Sequence, residues 1–212
     1  MSRFITFEGT EGCGKSTQLR LLADHLRRQG LQVCVTREPG GCPISDAIRQ
    51  ILLDPSSAGM DPQTELFLYA AARAQHMAEV VRPALERGEI VLCDRFTDAT
   101  LAYQGYGRGL DIEQISALNR DATGSREPDL TLLLDIPLET GLARAISRNS
   151  DAEVDEGRFE QEELSFHRRV RDGYLTLARN EQRFRVIPAS GSIDEVAQQI
   201  LQTVDPWLGI AS

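Results

Sequence analysis

With 212 residues, the chain can bury one substantial core and falls within the size of a single α/β domain. Its 32 acidic against 23 basic residues leave a net charge of −9, which opposes broad contact with a nucleic-acid backbone yet leaves room for a few arginines around a small anion. Hydrophobic residues at 41% and charged ones at 26% mark an ordinary globular protein, and no apolar run approaches the roughly 20 residues that span a bilayer.

The first predicted element is a strand at 4–7, Phe4-Ile5-Thr6-Phe7. It begins almost at the N-terminus, where no signal-peptide core is present, so a cytoplasmic protein is expected. Directly after it stand Gly9-Thr10-Glu11-Gly12-Cys13-Gly14-Lys15-Ser16 and then Thr17, a complete G-x-x-x-x-G-K-S phosphate-binding loop. The glycines permit backbone angles that gather N–H groups around one anionic centre; Lys15 brings a mobile charge to the outer phosphates, and Ser16 offers a hydroxyl to Mg²⁺. Leu19, Leu22, Ala23 and Leu26 recur at helical spacing behind the loop, and Gly30 stands where a C-terminal cap belongs. Strand, loop and helix therefore follow in the order that aims a helix N-terminus at phosphate.

Further strands are expected at 32–36, 90–93, 130–134 and 184–187, as continuous Val/Ile/Leu runs suited to a parallel sheet covered on both faces. Between the second and third lie a helix at 44–53 and a longer one at 63–88, separated by Pro55-Ser56-Ser57-Ala58-Gly59. Pro83 is expected to kink or end the longer one. The stretch 149–157, where Asp151, Glu153, Asp155 and Glu156 crowd between arginines, reads as a mobile surface loop. A capping box, Ser192-Ile193-Asp194-Glu195, opens a final helix whose buried stripe is Val196, Ile200 and Val204. Cys13, Cys34, Cys42 and Cys93 form no C-x-x-C pair, and His25, His76 and His167 are scattered, so free thiols rather than a zinc site are expected.

A phosphate loop serves switches, motors and kinases alike. Guanine-reading switches carry Asn-Lys-x-Asp, and the nearest match here, Asn119-Arg120-Asp121, lacks the lysine. The other motifs are more specific. They comprise Thr36-Arg37-Glu38-Pro39-Gly40-Gly41 after the second strand, Tyr69 with Ala72-Arg73-Ala74-Gln75-His76 on the long helix, and Asp94-Arg95-Phe96 followed by Ala102-Tyr103-Gln104-Gly105 after the third. Pro128-Asp129-Leu130-Thr131 with Leu134-Asp135, and Arg158-Phe159-Glu160, complete the set. In these runs the chain resembles bacterial thymidylate kinases across nearly its whole length. The resemblance implies a single P-loop NTPase domain over 1–212, with a five-stranded parallel sheet, helices on both faces and a short mobile lid at about 143–160. It also implies ATP-dependent, Mg²⁺-assisted phosphorylation of dTMP to dTDP, by a homodimer that binds no nucleic acid or membrane.

Residue by residue, phosphoryl transfer needs cations around donor and acceptor phosphates, and Arg37 and Arg95 both lie just beyond strands. Asp94 ends the run Ile90-Val91-Leu92-Cys93, where a carboxylate can hold Mg²⁺ beside Ser16; Asp135 is its rival. Asp94 is favoured because a strand lying next to the first one would bring it nearer the loop. Tyr69 and Arg73, four apart, share one helix face, so an aromatic ring and a guanidinium can meet one ligand. The resemblance assigns them to stacking on and reading of thymine, although phenylalanine is commoner than tyrosine at the stacking position. Glu11 in the phosphate loop should repel phosphate unless a hydroxyl or cation stands near it. The resemblance gives it the acceptor's 3′-hydroxyl, or the metal through water. It further implies that Arg49 grips the acceptor phosphate, that Glu38 and Pro39 border the acceptor, that Thr100 and Gln104 read the base edge, and that Tyr103 sits near the sugar. Lys15, Arg95 and a lid arginine, Arg148 or Arg158, are the expected transition-state cations, with Arg144 nearby. Leu66, Val80 and Val81 are the candidates for subunit contact on the long helix. Another small-molecule kinase, such as a deoxynucleoside kinase, or a nucleotide-dependent switch are the alternatives.

Overall fold

The computed structural model describes residues 2–150, 158–159 and 162–210, without the side chains of 148–150. Five strands, β1 (Arg3–Glu8), β2 (Val33–Arg37), β3 (Ile90–Asp94), β4 (Leu130–Asp135) and β5 (Phe184–Pro188), form one all-parallel sheet in the order β2-β3-β1-β4-β5. Each predicted strand is present within a residue or two. The central strand is buried at nearly every position because helices cover both of its faces, which is why its sequence shows no polar alternation. Both β3 and β4 pair with β1, at Phe7↔Asp94 and Glu8↔Leu133. Adjacency to β1 thus fails to separate Asp94 from Asp135, and side-chain direction has to decide.

On one face, α1 (Lys15–Arg28) and α9 (Ile193–Leu208) pack Leu19, Leu22, Ala23, Leu26, Val196, Ile200 and Val204 against Ile5, Phe7, Leu132 and Leu134. Burying a side chain of this size is worth about 1.5–3 kcal/mol each, so the stripe anchors both helices. The expected capping box is formed: the Ser192 hydroxyl accepts from the Glu195 N–H, and the Glu195 carboxylate accepts from the Ser192 N–H. On the other face lie α2 (Pro43–Leu53), α3 (Pro62–His76), α4 (Arg82–Glu86), α5 (Thr97–Thr100), α6 (Ile112–Thr123) and α8 (Leu164–Asn180). Helix α7 (Leu138–Ser150) follows β4, and most of the expected lid beyond it falls outside the described residues. No helix among the described residues is long and apolar enough to cross a membrane.

Among the described residues two helical segments are π-helical, and each has a physical reason. Met77–Val81 joins α3 to α4, so Pro83 does not end the long helix. A wider turn ahead of the proline relieves the clash its ring would make with the carbonyl four residues back. Leu101–Gly107 continues α5, with Ala102, Tyr103, Gln104 and Gly105 all buried. More residues per turn than in an α-helix means that neighbouring side chains diverge less, so adjacent Tyr103 and Gln104 can both turn inward. Leu66 and Val81 are fully buried in the core, which removes them as subunit-contact candidates; Phe67, Ile44 and Ile51 are the large apolar side chains exposed on α3 and α2. The four cysteines are free thiols.

Helix α8 crosses the second π-helical segment at Gly173, where an added Cβ would lie 2.6 Å from Cγ of Tyr106. Gly→Ala in a helix normally stabilises by about 1 kcal/mol, but overpacking costs about 1–3 kcal/mol. Gly173→Ala is therefore expected to lower the urea midpoint of unfolding. A raised midpoint would show that this crossing is not close-packed.

Candidate active site

The loop at 9–14 leaves the central strand and enters α1 with Gly14 at φ 94° and no side-chain cap; the Thr17 N–H donates back to the Gly14 carbonyl at 3.1 Å, and the N–H groups ahead of it are left to a ligand. Gly12 is also left-handed, at φ 68°, and a Cβ there would fall 1.9 Å from the carbonyl oxygen of Gly141. Only glycine allows the loop to pack this closely on α7. Lys15 Nζ donates to the carbonyls of Gly9 (3.1 Å) and Thr10 (3.0 Å), which centres the ammonium within the loop. Ser16 Oγ donates to Asp94 Oδ2 at 2.6 Å, whereas both oxygens of Asp135 are taken by Arg171 at 2.7 Å. Among the described residues no three His, Cys, Asp or Glu side chains cluster as a metal cage. The hard oxygens of Ser16 and Asp94 nevertheless suit Mg²⁺, which keeps several waters and takes one or two protein ligands together with phosphate.

Arg95, the first residue past β3, has φ 69°, a conformation that costs a non-glycine residue about 1–3 kcal/mol. Its surroundings fix it there. The Arg95 N–H donates to Phe7 O at 2.9 Å, its guanidinium donates to Tyr174 Oη (3.1 Å) and Glu11 Oε1 (3.2 Å), and it lies 4.9 Å over the Tyr103 ring. The Tyr103 hydroxyl donates to the same oxygen of Glu11. Buried His167 brings Nδ1 within 3.5 Å of Glu11 Oε2. Burial alone would raise the Glu11 pKa, but His167, Arg95, Lys15 and the Tyr103 hydroxyl outweigh it and hold the group at about 2. A carboxylate inside a phosphate loop is thus neutralised by its neighbours, through the hydroxyl and cations that its position demanded.

Beneath Arg95, the buried Glu8 accepts from the Phe96 N–H and the Tyr174 hydroxyl, both at 2.7 Å. Burial first, and then the Asp98 carboxylate, push Glu8 up to about 8 against the opposing pull of Arg95.

At the far end, Arg73 is 2% exposed and almost saturated. Its Nε donates to Glu38 Oε2 (2.8 Å), Nη1 to Asn119 Oδ1 (2.6 Å), and Nη2 to Phe96 O (3.1 Å) and Thr100 Oγ1 (2.9 Å). Five donors on a guanidinium less these four leave one Nη1 hydrogen. Glu38 also pairs with His76 Nδ1 at 2.9 Å. Tyr69 packs against the core yet also borders the open space, and burial raises its hydroxyl pKa. Arg49 donates to Pro39 O at 3.0 Å. Arg37, largely exposed, pairs with Asp46 at 3.1 Å, a contact worth at most about 1 kcal/mol in solvent.

These groups share a single cavity of about 330 Å³. Of the residues singled out in the sequence, Glu11, Gly12, Lys15, Ser16, Arg37, Glu38, Pro39, Arg49, Tyr69, Arg73, Asp94, Arg95, Thr100, Tyr103 and Gln104 line it. Gly9, Thr10, Cys13 and Gly14 build the loop, and Thr17 the first turn of α1, without lining it. Arg158 does not reach the cavity: it is buried, its guanidinium paired with Glu65. The Arg148 side chain lies outside the described residues, and Arg144 is exposed on α7. Leu53, Phe96, Ala99 and Phe159 also line the wall and Glu8, Tyr174, His167, Glu65 and Asn119 stand behind it, and the sequence assigns none of them a place in the site. A tyrosine or histidine deep in α8 gives no local signal of its partners in β1 and the loop.

A glycine loop between a central parallel strand and a helix, opening on a cation-lined cavity at the C-terminal sheet edge, defines a phosphate-loop nucleotide-binding α/β protein. Comparison with known proteins narrows the class. The family model described as thymidylate kinase matches residues 7–200. The chain is 59% identical over 212 residues to the thymidylate kinase of Syntrophotalea carbinolica, covering 99% of this chain and 98% of that one. It is also 59% identical over 206 residues to that of Geotalea uraniireducens, covering 96% and 97%. The crystal structure of thymidylate kinase from Ehrlichia chaffeensis superposes with a TM-score of 0.77 at 33% identity, covering 96% of this chain and 98% of that one. The chain belongs to the thymidylate kinase family.

The Glu8 shift fixes a pH dependence. A carboxyl whose pKa rises on folding from 4.5 to about 8 contributes stability that is fully present below 4.5 and lost as pH climbs through 8. Relative to Glu8→Gln, the parent should therefore lose urea resistance between pH 5 and pH 8.5. A constant difference between the two proteins across that range would show that Glu8 does not titrate there.

Proposed function

We propose that this chain transfers the γ-phosphoryl group of ATP to the 5′-phosphate of dTMP, giving ADP and dTDP, in the cytoplasm. The observation that carries the reading is one cavity that runs from Arg73 and Gln104 to Lys15 and Ser16, so that an acceptor nucleotide in it would point its phosphate at the end of the phosphate loop. The glycine loop and the α1 N-terminus cradle the donor phosphates, with Lys15 on their outer oxygens. Arg95, pre-positioned by Glu11 and Tyr174, meets charge that spreads over the transferring group. Arg37 and Arg49 hold the acceptor phosphate, and Tyr69, Arg73, Thr100 and Gln104 hold its base. Ser16 and Asp94 would hold Mg²⁺, which when bound neutralises phosphate charge. No covalent protein intermediate is required, because alignment and charge neutralisation supply the rate. A lid arginine, Arg148 in this reading, completes the site while water is excluded. Exposed Ile44, Ile51 and Phe67 on the packed pair α2 and α3 support assembly as a homodimer.

Coupled ADP-release assays with dTMP, dUMP and thymidine test the reading, and dTMP is expected to be the preferred acceptor. Preference for unphosphorylated thymidine would make the protein a nucleoside kinase and remove the role of Arg49. Lys15→Ala should lower dTMP turnover by about 10²–10³-fold, as loss of a pre-organised electrostatic group does. Unchanged turnover would remove Lys15 from the chemistry.

A further inference from the structure

Glu65, on α3, stands behind the cavity wall with no role in the proposed chemistry, yet it is 1% exposed and both of its oxygens are bonded. Its Oε1 accepts from Gln104 Nε2 at 2.7 Å and from Arg108 Nε at 3.3 Å. Its Oε2 accepts from Arg108 Nη2 at 3.2 Å and from Arg158 Nη2. Arg108 in turn pairs with Glu162 at 2.6 Å. With guanidinium groups on both oxygens, Glu65 offers only acceptors to the amide of Gln104.

That fact fixes which way Gln104 points. A glutamine amide can present either its NH₂ or its carbonyl to a ligand, and the two faces demand opposite partners. With the nitrogen committed to Glu65, the carbonyl is the group that Gln104 turns to a ligand in the cavity. Arg73 and Gln104 both line the cavity, and Thr100, which accepts from Arg73 Nη2 at 2.9 Å, stands four residues before Gln104. A guanidinium donor and an amide acceptor thus border the same space. A pyrimidine imide, C=O next to N–H, matches this pair, whereas the cytosine edge presents an NH₂ and a bare ring nitrogen and reverses both contacts.

We propose that Glu65 is a specificity-determining positioning residue: by holding the Gln104 amide nitrogen it makes the site accept imide bases and reject the 4-aminopyrimidine edge. The inference rests on the proposed dTMP kinase reading and goes beyond it in naming the residue, outside the cavity wall, that sets the polarity of base reading. Arg108 and Arg158 hold the carboxylate and do not themselves touch the amide.

The test is the ratio of kcat/KM for dTMP to kcat/KM for dCMP, with melting temperature and the KM for ATP measured alongside. Glu65→Gln frees the Gln104 amide to rotate, and the ratio is expected to fall about tenfold or more, as loss of one oriented polar contact implies. Arg108→Lys, which loosens the same cluster without releasing Gln104, should leave the ratio unchanged. A merely structural role for Glu65 would depress both acceptors together and keep the ratio constant, and that result would overturn the inference. Should Glu65→Gln fail to fold, Gln104→Leu removes the oriented carbonyl directly; it must lower the ratio by a similar factor, and an unchanged ratio would equally overturn the inference. Parent enzyme inactive on dTMP would instead refute the kinase reading itself.

Discussion

The constraint on which the structure depends is mutual repulsion. Lys15, Arg37, Arg49, Arg73 and Arg95 converge on a cavity of about 330 Å³, and like charges a few ångströms apart in a partly desolvated space repel strongly. The fold answers by giving each cation an internal acceptor: loop carbonyls for Lys15, Glu11 for Arg95, Glu38 for Arg73, Asp46 for Arg37 and the Pro39 carbonyl for Arg49. The carboxylates of this site are therefore chiefly positioning groups. Their presence explains how an acidic chain maintains a cationic pocket, and why a glutamate is tolerated where phosphate is meant to bind.

Pre-organisation has a backbone component as well. Arg95 sits in the left-handed region next to the central strand, held from below by Tyr174 and Glu8 and from the side by Glu11 and Tyr103. The sheet supplies rigidity where it is needed, since β1 and β3 deliver Glu8, Asp94 and Arg95 from neighbouring strand ends. The π-helical turn at Leu101–Gly107 then aims two successive side chains at one space. Groups that must lie within a fraction of an ångström of their reacting partners are thus carried by strands and helices, in keeping with catalysis by alignment and electrostatics.

Much of this was legible in the sequence, for reasons that are local. Parallel strands covered on both faces read as unbroken apolar runs, the phosphate loop has fixed spacing, and the final helix announces itself with Ser192 and Glu195. The cavity wall was legible too, because its residues fall just past strand ends or on one helix face. What escaped was everything set by distant pairing. Tyr174 reaches Glu8 across 166 residues of chain, and Arg158 reaches Glu65 across 93, so neither partner marks the other in the sequence. Arg158 was thereby read as a lid cation although its guanidinium is buried on Glu65. Asp94 was favoured over Asp135 on strand adjacency, but β1 touches both strands; the Ser16 hydroxyl and the Arg171 guanidinium make the distinction. Leu66 and Val81 looked like surface candidates because helical periodicity cannot tell a core face from a subunit face.

The most direct measurement is a crystal structure of the protein with dTMP and a non-hydrolysable ATP analogue bound together. The acceptor should lie in the cavity and the donor on the phosphate loop with their phosphates facing each other, Lys15 and Arg95 within hydrogen-bonding distance of phosphate oxygens and the thymine edge against Arg73 and Gln104. An acceptor seated elsewhere, or arginines that stay on their internal carboxylates and leave the phosphates to solvent, would contradict the account.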